Sequence, residues 1–145
     1  HPKSRGEITL NSSDPYDYPK ILFNYLKEEE DLKQTRECIH VAREILSQPA
    51  LAEHAGDEVG PGFDAQSDDE LNEYIRSKAD TAYHPCGTCK MGVDDMAVVD
   101  QDLKVNGIGN LRVIDASVIP EIPSANLNAP TLMIAEKGSE AILNN

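Results

Sequence analysis

The chain has 145 residues, 39% of them hydrophobic, enough for one domain, or a large part of one, around a modest core. A formal net charge of −13 excludes the basic footprint of a nucleic-acid binder, and no run of about 18 apolar residues is present to span a membrane. Three cysteines, an odd number, do not make a disulfide framework and fit a reducing compartment. The acidic surface serves solubility or steers a cationic substrate. The chain starts with His, and its opening HPKSRGEITL has no apolar signal segment; this fits a piece of a longer protein and leaves export open.

Residues 7–10 (EITL) form a short strand candidate, closed by the turn cluster Asn-Ser-Ser-Asp-Pro. A Tyr- and Pro-rich connection follows over 15–25. The spacing of Leu32, Thr35, Ile39, Ala42 and Leu46 predicts an amphipathic helix over 29–48, ended by Pro49. Cys38 is read onto the same side as a small buried hydrophobe. A Gly-, Pro- and acid-rich loop covers 54–63. Ser67 and Glu70 then make a capping box that opens a helix over 68–78. From Thr81 the helical period disappears, and turns alternate with short apolar runs at 97–99, 111–114 and 118–119. A last helix is predicted from 129 or 130 to 143, with Asn128 as N-cap and Pro130 in its first turn.

The most reactive stretch is YHPCGTCKMG, residues 83–92. Cys86 and Cys89 form a CxxC, but a thioredoxin-type dithiol needs its first Cys at a helix N-terminus. Here Gly92 and the pair Asp94-Asp95 follow, and no amphipathic pattern starts. His84, Cys86 and Cys89 could ligate zinc, and Pro85-Cys86-x-x-Cys89 matches half of the zinc-deaminase signature. Neither His40 nor His54 is followed by the Glu that the other half requires, and no second Cys/His pair supplies a fourth ligand. The thiols therefore read as packing residues in a tight loop, and no metal is expected. His84 remains, either a structural histidine or a catalytic one.

Three ordered blocks carry a family resemblance. They are His84-Pro85-Cys86-Gly87-Thr88-Cys89-Lys90-Met91-Gly92, then Leu111-Arg112-Val113-Ile114-Asp115-Ala116-Ser117-Val118-Ile119-Pro120, then Asn126-Leu127-Asn128-Ala129-Pro130-Thr131-Leu132-Met133-Ile134-Ala135-Glu136-Lys137. Together they resemble the C-terminal blocks of the glucose-methanol-choline (GMC) flavoenzymes. His1-Pro2-Lys3-Ser4-Arg5-Gly6, Ile21-Leu22-Phe23-Asn24-Tyr25-Leu26 and Gln48-Pro49-Ala50-Leu51 extend the likeness over nearly the whole chain.

The resemblance implies an α+β fold: part of an antiparallel-sheet substrate domain with flanking helices, then a C-terminal segment and helix that pack on an FAD domain. It assigns residues 1–80 to the substrate-binding (cap) domain and 81–145 to the catalytic His loop and flavin-contacting segment. The N-terminal Rossmann-like FAD domain is not in this chain: Gly107-Ile108-Gly109 lacks the third glycine and the following helix of a dinucleotide fingerprint. The activity implied is FAD-dependent oxidation of a primary alcohol, with choline going to betaine aldehyde. His84 would take the hydroxyl proton while hydride leaves for flavin N5, and Asn126 would hold the oxygen in line. Asp115 and Ala116 would touch the FAD phosphate and ribityl region. Asn128 and Ala129 would bring the helix N-terminus to the pyrimidine edge of the ring, where its positive end stabilises negative charge. From the residues alone, Asp115 reads equally as a turn acid and Asn128 as only an N-cap.

The implied partners are a small alcohol such as choline and the missing FAD domain, which this piece alone is not expected to replace in holding flavin. No nucleic acid is implied. A cytoplasmic place, or one peripheral to the cytoplasmic face of the inner, respiratory membrane, is expected. The rival readings are a GMC dehydrogenase for another alcohol, a free-standing binding domain without catalysis, and a zinc-dependent domain.

Overall fold

A computed structural model describes residues 1–144. The elements are two strands, β1 (Glu7–Thr9) and β2 (Lys20–Leu22), and four α-helices, α1 (Glu29–Leu46), α2 (Pro49–Ala52), α3 (Asp68–Lys78) and α4 (Asn128–Leu143), with a 3-10 turn at Ala116–Val118. The chain divides into two compact units, Pro2–Asp80 and a second made of His1 with the residues from Thr81 onward. The fold is α+β with a small antiparallel sheet.

In the first unit β1 and β2 pair antiparallel in the register Glu7↔Leu22, Ile8↔Ile21 and Thr9↔Lys20. The stretch around Lys20, read from sequence as a connection, is thus a strand. Three residues between turns carry no period of their own, so only the partner strand reveals them. Both faces of the hairpin are exposed, and Phe23 stacks on Tyr25 just beyond it with ring centroids 5.1 Å apart.

Helix α1 starts with Glu29, Glu30 and Asp31 at the positive end of its dipole and carries Arg43 in its last turn. It packs on α3, where Leu71 and Ile75 are buried, as is Leu32 on α1. Burying a side chain such as Leu71 contributes about 2 kcal/mol. Arg36 ties the pair: its guanidinium donates to Asn72 Oδ1 at 2.6 Å and lies 3.3 Å from Asp68. The expected capping box is present. Glu70 N–H donates to Ser67 Oγ at 3.3 Å, and Ser67 N–H donates to Glu70 Oε2 at 2.9 Å. The Ser67 amide and hydroxyl and the Gln66 amide hold the Glu70 carboxyl below its ordinary pKa.

Cys38 is exposed, contrary to expectation. Successive helical residues are rotated by about 100°, so Cys38 is turned well away from its half-buried neighbour Ile39. It falls instead beside Gln34, Val41 and Ile45 on the open face. Ala42 and Leu46 are exposed as well, so the predicted stripe is buried only near the N-terminal half of α1. Helix α1 stops at Leu46, and Pro49 opens α2, where a missing N–H costs nothing.

Two polar clamps hold the irregular parts of this unit. Asp31 is buried (6% exposed) and accepts the amide hydrogens of Lys3 at 2.6 Å and Ser4 at 2.7 Å, while Ser4 Oγ accepts from Glu28 N–H at 3.0 Å. Burial pushes the Asp31 carboxyl up, but those bonds and the Arg5 charge outweigh it and leave the pKa below the ordinary value. Arg43 closes the 54–66 loop: Nε donates to both Glu58 oxygens at 3.0 and 3.1 Å, and Nη2 to the carbonyls of Gly62 (3.1 Å) and Ala65 (2.9 Å).

The second unit is mostly irregular chain wrapped on one core of Val99, Leu103, Val118, Ile119, Leu127 and Ile134. Isolated bridges Met91↔Val99, Val99↔Val105 and Lys104↔Arg112 replace a regular sheet. Gly138 lets α4 approach closely, because a Cβ there would lie 2.5 Å from Ile114 Cγ2.

Candidate functional site

The His84 loop is laced to two segments of its own unit by main-chain bonds. Cys89 N–H donates to Ser117 O at 3.0 Å and Met91 N–H to Val118 O at 2.8 Å. On the other side Gly92 N–H donates to Val99 O at 3.1 Å, and the Lys90 carbonyl accepts from Val98 at 3.0 Å. Within the loop, Lys90 N–H returns to Gly87 O at 3.2 Å, and Gly87 sits at φ +88, a conformation open to glycine at little cost. Lys90 Nζ pairs with Asp94 at 2.8 Å. That bond and the Met96 amide keep the Asp94 carboxyl below its ordinary pKa. Short polar turns thus hold the loop rigid without helix or strand.

His84 is half-buried and follows Tyr83, whose backbone is left-handed at φ 59 and whose N–H donates to Thr81 Oγ1 at 2.9 Å. A bulky residue in that region is strained, typically by about 1–3 kcal/mol. The exit angle of the chain into His84 is therefore set by the fold. Cys86 packs against the core and Cys89 is half-buried, and neither forms a disulfide. Among the described residues no three His, Cys, Asp or Glu side chains gather as metal ligands.

Asp115 stands at the head of the 3-10 turn, where its Oδ1 accepts from Ser117 N–H at 2.8 Å and from the Ser117 hydroxyl. The acid is a cap here, which leaves Oδ2 without a partner among the described residues. Ala116 packs on the core. Ser117 and Val118 of this turn are the residues that accept the His84 loop, so the first two sequence blocks meet through backbone bonds.

The third block enters through Leu127, which is buried in the same core. Asn126, just before it, is exposed. Helix α4 begins at Asn128, not after it. Leu127 is the flanking residue, with helical angles (φ −71, ψ −10) and no side-chain cap. Asn128 is thus a first-turn residue, and the expected N-cap role is corrected. The Leu127 carbonyl takes both Thr131 N–H at 2.9 Å and Thr131 Oγ1 at 2.7 Å, so the threonine closes the turn that Asn128 was expected to cap. Asn128 and Ala129 are exposed, and their N–H groups precede the first intrahelical bond.

His84 and Asn126 share no hydrogen bond among the described residues; it is their near neighbours Cys86 and Leu127 that meet in one core. The sequence reading missed His1. Its Nδ1 lies 2.9 Å from Ile122 O and its Nε2 2.8 Å from Ser124 Oγ, within the loop that leads to Asn126. No sequence signal marks so distant a pairing.

The start of α4, a helix that contacts the Ala116–Val118 turn, offers exposed first-turn residues whose free amides suit a partly negative ring edge such as a flavin's. No phosphate-binding glycine loop accompanies it in this chain.

A sequence model of the GMC oxidoreductase family matches residues 2–135. The chain is 53% identical over 139 residues to an oxygen-dependent choline dehydrogenase of Klebsiella pneumoniae, covering 96% of this chain and 25% of that protein. It is 50% identical over the same length and shares to an oxygen-dependent choline dehydrogenase of Escherichia coli. Among solved structures, pyridoxine 4-oxidase from Mesorbium loti superposes with a TM-score of 0.92 at 33% identity, over all of this chain and 28% of that one. A formate oxidase of Aspergillus oryzae, studied for modification of its FAD, gives 0.89 at 34%, over 96% and 24%. The chain spans about a quarter of the length of the curated relatives it matches. No described helix is long and apolar enough to cross a membrane. By the extent of the family match and the identity to these relatives, the chain belongs to the GMC oxidoreductase family.

Proposed function

We propose that this chain is the substrate-side, C-terminal part of an FAD-dependent choline dehydrogenase that oxidises choline to betaine aldehyde. The observation that carries the reading is the junction of the His84 loop with the Asp115–Ser117 turn through the Cys89 and Met91 amides, on the core that also anchors the start of α4. The identity of 53% to an oxygen-dependent choline dehydrogenase supports the substrate and favours oxygen as electron acceptor.

FAD, when bound, supplies the acceptor for hydride. The residues of this chain do the rest. The half-buried His84 takes the alcohol proton, because hydride leaves the carbon only as charge builds on oxygen. Asn126 donates its amide to that oxygen and keeps it in line. With FAD bound, the free amides of Asn128 and Ala129 would stabilise negative charge on the pyrimidine edge of its ring, and Asp115 and Ala116 would hold its phosphate and ribityl region.

In the full-length protein, His84→Ala is expected to lower turnover by about 10²–10⁴-fold, the usual span for losing a general base, while flavin content stays unchanged. Near-normal turnover would remove His84 from the chemistry. A second reading, a GMC dehydrogenase for another alcohol, is favoured by structural relatives named for pyridoxine and for aryl alcohols. Comparing kcat/KM for choline with that for uncharged primary alcohols separates the two.

A further inference from the structure

Between the buried Ile119 and Leu127 the chain has no helix or strand, and Ile122 packs against the core partway along it. Glu121, Ser124, Ala125 and Asn126 in this span are exposed. A span of this kind has no ladder bonds to order it, so beyond the Ile122 anchor its conformation depends on side chains brought from elsewhere. His1 is such a side chain, bonded to Ile122 O at 2.9 Å and Ser124 Oγ at 2.8 Å across separations of 121 and 123 residues.

Donors follow from the chemistry of each group. A carbonyl oxygen only accepts, so Nδ1 carries hydrogen and donates to Ile122. In a neutral ring Nε2 then accepts from the Ser124 hydroxyl, and in a charged ring Nε2–H donates to that same oxygen. Both bonds survive either protonation state. The contact is a fixed clasp and not a pH switch.

We propose that His1 is a positioning residue for Asn126: by gripping Ile122 and Ser124 it fixes the loop from which Asn126 reaches the substrate oxygen. The inference rests on the role given above to Asn126. Its force comes from geometry, since a misplacement of about 1 Å in an aligning group can cost on the order of 100-fold in rate. The His1 bond to Ser124 ends only two residues before Asn126, so loosening it acts directly on the residue that must be held.

The test uses the full-length protein with choline, measuring kcat, KM, flavin content and melting temperature for His1→Ala, His1→Asn, Ser124→Ala, Asn126→Ala and the double variant His1→Ala/Asn126→Ala. His1→Ala is expected to lower kcat by about 10-fold or more with flavin retained. His1→Asn, whose amide nitrogen can donate to Ile122 as Nδ1 does, recovers part of it. In the Asn126→Ala background, removing His1 costs nothing further, because the residue it positions is gone. Effects of His1→Ala and Asn126→Ala that multiply in full, or a His1→Ala enzyme of normal kcat, would overturn the proposal. If His1→Ala does not fold, Ser124→Ala decides: it lowers kcat by about 3-fold only while Asn126 is present, and an equal loss without Asn126 refutes the clasp. Should Asn126→Ala alone leave turnover intact, the assignment of Asn126 fails, an outcome distinct from full multiplicativity.

Discussion

Arg43 offers a direct test of what holds the 54–66 loop. Its guanidinium meets one carboxylate and two main-chain carbonyls, with Arg43 and Glu58 side chains 21% and 24% exposed. At that exposure the ion pair itself is partly screened and is worth about 1 kcal/mol. The two carbonyl bonds at 3.1 and 2.9 Å are charge-assisted, and losing each costs about 1–1.5 kcal/mol. Arg43→Ala is therefore expected to destabilise by about 3 kcal/mol, and Glu58→Gln, which keeps an acceptor oxygen but removes the charge, by only about 1 kcal/mol. Arg43→Lys falls between, since an ammonium lacks the planar fork that reaches three groups. Urea unfolding of this unit gives the three values, and limited proteolysis within 54–66 reports the loop directly. Equal losses for Arg43→Ala and Glu58→Gln would show that the carbonyl bonds carry nothing and that the pair alone matters.

Asp31 has a depressed pKa in the folded chain, so it contributes stability above the ordinary carboxylate range near pH 4 and loses it as pH falls through the lowered folded value. Acid unfolding should therefore be shallower in Asp31→Asn than in the parent, and an unchanged acid limb would contradict the clamp on Lys3 and Ser4. Gly138→Ala sets a helix-propensity gain of about 1 kcal/mol against overpacking of about 1–3 kcal/mol. Because the new Cβ would meet Ile114 atoms at 2.5 and 2.8 Å, the clash is expected to win by about 1 kcal/mol, and the sign should reverse in an Ile114→Ala background on thermal unfolding.

Much of the helical structure was legible from local rules. The Ser67 box, the apolar spacing in α1 and Pro130 in the first turn of α4 are all local signals, so α1, α3 and the beginning of α4 follow closely from neighbours in sequence. The three blocks around His84, Asp115 and Asn126 were legible only as a resemblance, because irregular chain leaves no period to read. Tertiary structure decided what depends on a distant partner. Strand β2 exists because β1 pairs with it, and Cys38 is exposed because α3 covers only part of α1. Asn128 is not a cap because Leu127, drawn into the core, starts the helix one residue early and Thr131 closes the turn. The junction of the His84 loop with Ser117 and Val118 is made by main-chain groups, which all residues but proline carry alike. Backbone bonds of that kind leave no trace in residue identity, so the sequence marked these blocks by resemblance while only the folded chain brings their loops together.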